Sequence, residues 1–448
     1  MQSYDRFIFD SFTYDPDLRT IVLRYSLDNE VKFEEKLILP DLPLAIDVND
    51  PRLDAALFAL HILGGVSYYK TCLPKEIEVW SGTMTPRQAA FYNEVYEKGL
   101  GEFFYKNKID FRGLVKFPFK EDAEPTAPKD MAMDDTWPVT TLVPIGGGKD
   151  SIATIELLKK AKVPVTLLRL VSHPLIEKQA EIANLPLIKV ERHLSPLLFA
   201  LNEQGALNGH VPITAYLSAV SVIVALLYGQ KAIALSNERS ADYGNTEYLG
   251  MTINHQWSKG VEFERAFQQE ITEMIDPTLQ YFSLLRPLSE LGIASIFGKA
   301  RHFHDVATSC NTNWRIVREK PRDKWCRACP KCAFAFAILS AFIEEQKLVD
   351  LFGGNLFDDP ALLPTFRELL GLEGIKPFEC VGTPEETKAA LYLAQKNGWS
   401  GESAVLKMFQ TEVLPTIKDP EGLVEECMTP SKYHAIPKRF LDTLNLSR

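Results

Sequence analysis

The sequence predicts an α/β protein, with a parallel-sheet core between an N-terminal α+β unit and a C-terminal helical region. Three observations predict it. From Val139 onward, short apolar, β-branched runs alternate with helical segments, the pattern of a parallel sheet with helices on both faces. A glycine run, Gly146-Gly147-Gly148, falls between the first of these strands and the first helix. Residues 119–138 are acidic, carry prolines and are poor in large aliphatics, which marks a boundary. At 448 residues the chain is too long for one ordinary core. The expected division is 1–130, 139–340 and 341–448.

In the first unit, YDRFIFDSFTYD and RTIVLRYSL read as paired strands, and RLDAALFALHILGGV has helical spacing. PRQAAFYNEVYEKGLGEFFYK reads as a further helix, opened by Thr85 and Pro86. In the core, TTLVPI, PVTLLRL, LIKVERH and AIALS read as strands, and DSIATIELLKKAK and EKQAEIANL as helices. Ile213 to Gly229 is uncharged but short for a membrane span of ~20 residues. A strand follows it at once, so it reads as a helix buried in the domain. AFAILSAFIEEQKLVDLF, PALLPTFRELLGL and PEETKAALYLAQKNG are the clearest helical pieces beyond residue 335.

Composition removes several function classes. An apolar fraction of 46% excludes a disordered tail protein. A formal charge of −10 argues against a general nucleic-acid binder. The seven cysteines are clustered, unlike a secreted disulfide framework. MQSYDRFIFD carries no basic region followed by an apolar one. The expectation is a soluble, cytoplasmic protein without a membrane partner.

In an open parallel sheet, ligands bind at the carboxyl ends of strands. The sharpest motif lies there: Gly146, Gly147, Gly148, Lys149, Asp150 and Ser151. Glycines let backbone N–H groups approach a phosphate, and the helix N-terminus adds free donors and a positive dipole end. Lys149 adds a cation, Asp150 can ligate Mg²⁺ and Ser151 can donate to phosphate or cap the helix. Walker A is excluded, because Asp150 stands where Ser or Thr is required, and G-x-G-x-x-G fails at Ser151. The bland alternative is a plain glycine turn.

Cys326, Cys329 and Cys332 form a tight triple, and Cys310 lies fifteen intervening residues upstream. Four thiolates suit a structural zinc ion. An iron–sulfur cluster, or metal-free thiols, are the competing readings. Between Lys299 and Lys331, nine Lys/Arg face three acids, a local +6. Arginine there suits an anionic substrate, or merely offsets the charge of a Cys₄ metal centre. Softer candidates are His173, His210, Asn237, Glu238, Arg239, His255 and Lys259, each structural or surface-borne if taken alone.

The glycine loop resembles the PP-loop, S-G-G-x-D-S, of the ATP pyrophosphatases, with Gly146 in place of serine. That resemblance implies an adenine nucleotide α-hydrolase-like core. It also implies ATP and Mg²⁺ as cofactors, and transfer of AMP to a substrate oxygen with loss of pyrophosphate. The Cys pattern resembles the zinc site of 7-cyano-7-deazaguanine synthases. PIGGGKDS, SNERSADYGNTEY, NHQWSKGVEFERAF and KWCRACPKCAFAF, in that order, resemble the MurL family of UDP-N-acetylmuramoyl-L-alanyl-L-glutamate epimerases. This implies ATP-driven inversion of the terminal L-Glu of a UDP-muramoyl dipeptide in peptidoglycan synthesis.

Under that resemblance Lys149 and Asp150 carry the adenylating chemistry. Asn237, Arg239, Lys259, Arg315 and Arg322 are substrate contacts, and Glu238, His255 and His173 are candidates for moving the α-proton. Cys72, Cys380 and Cys427 have no evident context in the sequence. The alternatives are an amide- or nitrile-forming ligase, a tRNA-modifying enzyme, or a nucleotide-sensing module.

Overall fold

The computed structural model describes residues 4–129, 131, 137–314 and 323–445. Two five-stranded sheets organise it. In the first, β1 (Arg6–Asp15), β2 (Thr20–Leu27) and β3 (Val31–Ile38) form an antiparallel meander. Their aromatic and β-branched residues alternate between a buried and a wetter face, as a half-covered sheet requires. β4 (Glu76–Val79) adds to β1 in parallel.

The second sheet is parallel throughout. It contains β5 (Thr141–Pro144), β6 (Val165–Arg169), β7 (Leu187–Lys189), β9 (Ala232–Leu235) and β12 (Gln280–Ser283), in the spatial order β12-β9-β5-β6-β7. The order reverses between β5 and β9, and that point is where ligands enter such sheets. A two-stranded ribbon, β10 (Thr246–Tyr248) with β11 (Met251–Ile253), lies between β9 and β12 in sequence.

LIKVERH, expected as one strand, is two. β7 ends at Lys189, and β8 (Glu191–His193) leaves the parallel sheet to pair antiparallel with β3. Val190, at the break, donates to Arg169 O at 3.0 Å. The expected helix after Thr85 is also divided, into Pro86–Gly99 and Gly101–Asn107. A capping box of Thr85 and Gln88 opens it. The AFAILSAFIEEQKLVDLF stretch likewise belongs to two helices, Pro330–Ser340 and Glu345–Phe352.

The parallel sheet divides two hydrophobic cores. Leu142, Leu168 and Ile233 face a core shared with the first sheet and with helices Pro51–Tyr69 and Ile213–Leu227. Val143, Leu167 and Ala234 face a second core, filled by helices Lys149–Lys160, Glu290–Lys299 and Pro330–Ser340 and by the C-terminal helices. Helix Ile213–Leu227 is buried along most of its length, which explains its uncharged sequence. Among the described residues, no helix is long and apolar enough to cross a membrane.

Candidate active site

Several segments converge at the reversal of strand order. The glycine loop leaves β5, and the Ser236–Arg239 loop leaves β9. Gly147 adopts φ +82°, where an added Cβ would stand 2.8 Å from the Trp314 ring, so the loop requires glycine there. Gly148 opens helix Lys149–Lys160 without any side-chain cap. The first-turn N–H groups therefore remain available to an anion. Ser151 Oγ donates to Gly148 O at 3.2 Å. An added Cβ at Gly146 would meet nothing within 4 Å, so space stands open beside the loop. These features fit a phosphate cradle.

Lys149 is buried and bonds both Asp150 and Glu290. Burial alone would lower its pKa, but the two carboxylates hold it above the ordinary lysine value. Asp150 is raised by burial, but Lys149, Lys331 and Lys259 leave it below the ordinary aspartate value. Glu290 sits at the start of helix Glu290–Lys299, behind an N-cap from Ser289. Its backbone N–H donates to Glu386 Oε1 at 2.7 Å, and its Oε1 stands 3.7 Å from Lys331 Nζ. Glu386 also accepts from Ser240 Oγ at 2.5 Å and from Thr383 N at 2.6 Å. One carboxylate thus ties the start of its own helix to Ser240 and to the start of helix Glu290–Lys299.

Lys331 also bonds the carbonyl of Cys380, and it rides between two members of the cysteine cluster. The sulfur atoms of Cys310, Cys326, Cys329 and Cys332 lie within 4.8 Å of one another. Cys326 N and Cys332 N point at Cys310 Sγ and Cys329 Sγ, each at 3.4 Å. Arg327 turns the knuckle in the left-handed region at φ 61°. Four converging sulfurs with N–H donors behind them fit a tetrahedral metal ion such as zinc. Holding that knuckle fixes the start of helix Pro330–Ser340, and hence Lys331.

Lys259 closes the ring of charge. Burial opposes its ammonium form, but Cys380, Glu238, Asp150 and Glu290 stand close enough to keep it above the ordinary lysine value. Cys380 itself is drawn down to about 5: burial pushes the thiol up, and Lys259, His255 and Lys331 outweigh that. His255 is disfavoured as a cation by burial, but hydrogen bonds with Cys380 and Glu102 bring it up to about 9. Its Nδ1 meets Glu102 Oε2. Burial would raise Glu102, but His255 draws it down to about 2. His210 packs tilted against His255, with ring centroids 4.3 Å apart, and is pushed down to about 3, by burial first and by His255 second.

The residues expected from sequence divide accordingly. Lys149, Asp150, Glu238, Lys259 and His255 come together. Arg286, fully buried, donates to Glu238 O at 2.7 Å and to Glu264 Oε2 at 2.8 Å, fixing the Glu238 backbone. Asn237 is buried and donates to Ser283 Oγ at 3.1 Å. His173 accepts from Leu175 N at 3.2 Å as a helix cap, and its ring packs 4.6 Å from Trp314. Trp314 in turn leans on Gly147, so His173 flanks the loop from outside the charged ring. Arg239 donates to the carbonyls of Thr429, Glu426 and Cys427 at 2.7–3.1 Å, which satisfies the end of helix Pro420–Met428. Arg315 and Arg322 lie outside the described residues.

Four participants carry little sequence signal. Glu290, Glu102 and Glu386 belong to no motif, and Cys380 stands alone in FECVGTP. Only a helix-cap pattern, Thr383 with Glu386, marks one of them.

A family model described as the MurL N-terminal domain matches residues 1–284, and one described as the MurL C-terminal domain matches residues 306–421. The chain belongs to the MurL family. A relative from Xanthomonas oryzae pv. oryzae is 39% identical, over 98% of this chain and 97% of its own length. Another, from Salinispora tropica, is 37% identical over 99% and 96%. A third, from a Micromonospora strain, is 35% identical over 99% and 98%. All three are named UDP-N-acetyl-alpha-D-muramoyl-L-alanyl-L-glutamate epimerase. The family's two matched segments meet at the site: the glycine loop, Glu238 and His255 lie in the first, and the cysteine cluster, Cys380 and Glu386 lie in the second.

Proposed function

We propose that this chain is an ATP-dependent epimerase that converts the terminal L-Glu of UDP-MurNAc-L-Ala-L-Glu to D-Glu. The observation that carries the reading is the uncapped glycine loop at the reversal of strand order, facing a ring of lysines and carboxylates. Near-full-length relatives bearing the epimerase name support the substrate. In this reading residues 139–340 form a PP-loop core. The loop binds ATP, Asp150 holds Mg²⁺, the cysteine cluster holds zinc, and the flanking units recognise the large substrate.

Each residue has a task. N–H groups at Gly148 and the first turn of the helix hold phosphate oxygens. The substrate carboxylate attacks the α-phosphorus of ATP, pyrophosphate departs, and the carboxyl becomes a mixed anhydride with AMP. Lys149, locked by Glu290, supplies fixed positive charge where phosphate charge develops. The anhydride acidifies the neighbouring C–H, so a base can remove the α-proton and an acid can return one to the other face. Water then releases AMP. In this reading Glu238, His255 and Lys259 serve that proton traffic.

The test is incubation with ATP, Mg²⁺ and UDP-MurNAc-L-Ala-L-Glu in D₂O. D-Glu bearing α-deuterium, with equimolar AMP and pyrophosphate, is the expected result. Unchanged L-Glu without deuterium rejects the epimerase. AMP formed with tRNA or with an amine acceptor, and not with the dipeptide, assigns another adenylating reaction.

A further inference from the structure

The proposed epimerase needs a group that exchanges a proton with an α-carbon, and the sequence offers only weak candidates. The structure gathers a thiol, an imidazole and a carboxylate at one place. Cys380 lies on the loop between helices Leu363–Leu369 and Pro384–Lys396, and His255 follows β11. Glu102 comes from the helix Gly101–Asn107. The His255 ring hydrogen-bonds the Glu102 carboxylate, and the Cys380 thiol faces the same ring closely enough for each to favour the other's charged form. His255 N is fixed by Asn245 Oδ1 at 2.8 Å, and Asn245 Nδ2 reaches Lys376 O and Pro377 O at 3.1 and 2.8 Å. Gln256 Nε2 bonds Val381 O at 3.2 Å. The loop that bears the thiol is therefore stitched to the segment that bears the imidazole, on both sides of the pair.

The pair also faces the reaction. Lys331 holds the Cys380 carbonyl and stands by Glu290, the partner of Lys149. Lys259 lies within the electrostatic field of Cys380, Glu238 and Asp150 at once. Cys380 and His255 are only partly covered, so a substrate can reach them. Cys72 and Cys427 have no such surroundings, and burial raises both thiols.

We infer that Cys380 is the catalytic residue that exchanges the α-proton on one face of the activated glutamyl carbon, with His255 and Glu102 as its positioning residues. This rests on the epimerase reading above. In the forward step the Cα–H bond breaks and the proton passes to the Cys380 sulfur. The electron pair moves into the adenylated carbonyl, where Lys259 faces the developing charge. A new Cα–H bond forms on the opposite face, with a proton from Glu238, the other acid–base group beside Lys259. Solvent then restores both groups. The thiolate this requires is the form favoured by Lys259, Lys331 and His255⁺, with Glu102 and Glu379 opposing and Lys376 assisting from the same loop.

The test compares the full-length wild type with Cys380→Ala and Cys380→Ser, using two readouts. The first is dipeptide-dependent exchange of labelled pyrophosphate into ATP, which reports activation alone. The second is formation of D-Glu with solvent deuterium at the α-carbon. For both variants, D-Glu formation falls by at least about 100-fold, as expected for loss of an acid–base group, and exchange stays within about five-fold. His255→Gln lowers the D-Glu rate less, and moves the acid limb of its pH profile upward.

Wild-type rates of D-Glu formation in Cys380→Ala overturn the inference. So does joint loss of exchange and epimerisation in a variant with native circular dichroism, which assigns Cys380 to activation. Absence of both signals in the wild type rejects the epimerase reading itself. A measurement on the wild type alone guards against misfolded variants. Iodoacetamide at pH 6 alkylates Cys380, read by peptide mapping, and ATP with the dipeptide protects it; a thiol inert until pH 8 or above overturns the inference.

Discussion

Two regions of this molecule bury charge, and they do so differently. In the first core, Glu35 is 0% exposed and accepts from Arg192 at 2.8 and 3.1 Å, Tyr68 at 2.8 Å and Tyr216 at 2.5 Å. Arg192 also lies 3.7 Å from the Tyr216 ring. Each carboxylate oxygen has two donors, and the network is closed. At the strand reversal, Lys149 and Glu290 are equally buried, but their neighbours Asp150, Lys259, Cys380 and His255 keep part of their surface open. The lesson is that buried charge alone does not mark a site. An ion network whose accounts close inside the core is architecture, whereas one that stays open toward solvent waits for a ligand.

The same contrast appears in two histidines. His61, fully buried, bonds Ser81 Oγ at 3.0 Å and Arg24 O at 2.9 Å, and burial lowers it to about 4. His255 is brought up to about 9 by its thiol and carboxylate neighbours. The difference lies in what each ring faces: a hydroxyl and a backbone carbonyl leave His61 neutral, whereas a carboxylate and a thiol charge His255, which in turn helps keep its neighbour His210 neutral.

The comparison can be broken in order of expected effect. Metal removal is the largest. The protein carries about one metal ion per chain by elemental analysis, and Cys329→Ser loses it together with cooperative folding of the second core, because structural zinc contributes on the order of 10 kcal/mol. Next, Glu35→Ala strands Arg192 and costs about 3–5 kcal/mol in urea denaturation, with the activity per folded molecule unchanged. Lys259→Met gives the reverse pattern: turnover falls about 100- to 1,000-fold, and stability changes by less than about 1 kcal/mol. Equal destabilisation by the two variants would erase the distinction between closed and open networks.

The pH dependence of stability checks His61. Its folded pKa lies below the unfolded value, so the unfolded chain binds the proton more readily. Its stabilisation is complete above pH 6.5 and is lost as pH falls toward about 4, by about 3 kcal/mol in all. His61→Gln flattens the denaturation midpoint across that window. The smallest effect is Thr383→Ala, which removes the cap that orders Glu386 and costs about 1 kcal/mol.

What the sequence revealed follows from range. Strand–helix alternation and the glycine loop are local, and both are present where expected. The cysteine quartet spans few enough residues to be recognised by spacing. Lys149 with Glu290, Glu102 with His255 and Lys331 with Cys380 are joined across 141, 153 and 49 positions, and no periodicity links such pairs. Arg239, a substrate contact under the family resemblance, spends its donors on the end of a helix that begins at residue 420. LIKVERH read as one strand because a change of sheet at Val190 leaves no mark in residue type.

That change of sheet reaches into the history of the chain as well as its shape. Lys36 in β3 pairs with His193 in β8, so the edge of the first sheet stays open during synthesis until more than 150 further residues have emerged. Closing so long a loop is entropically slow. An open edge in the meantime is a template for other strands. The nascent chain is therefore most exposed to misassociation before the second sheet has begun to form, and a fragment ending near residue 130 would keep that exposure permanently.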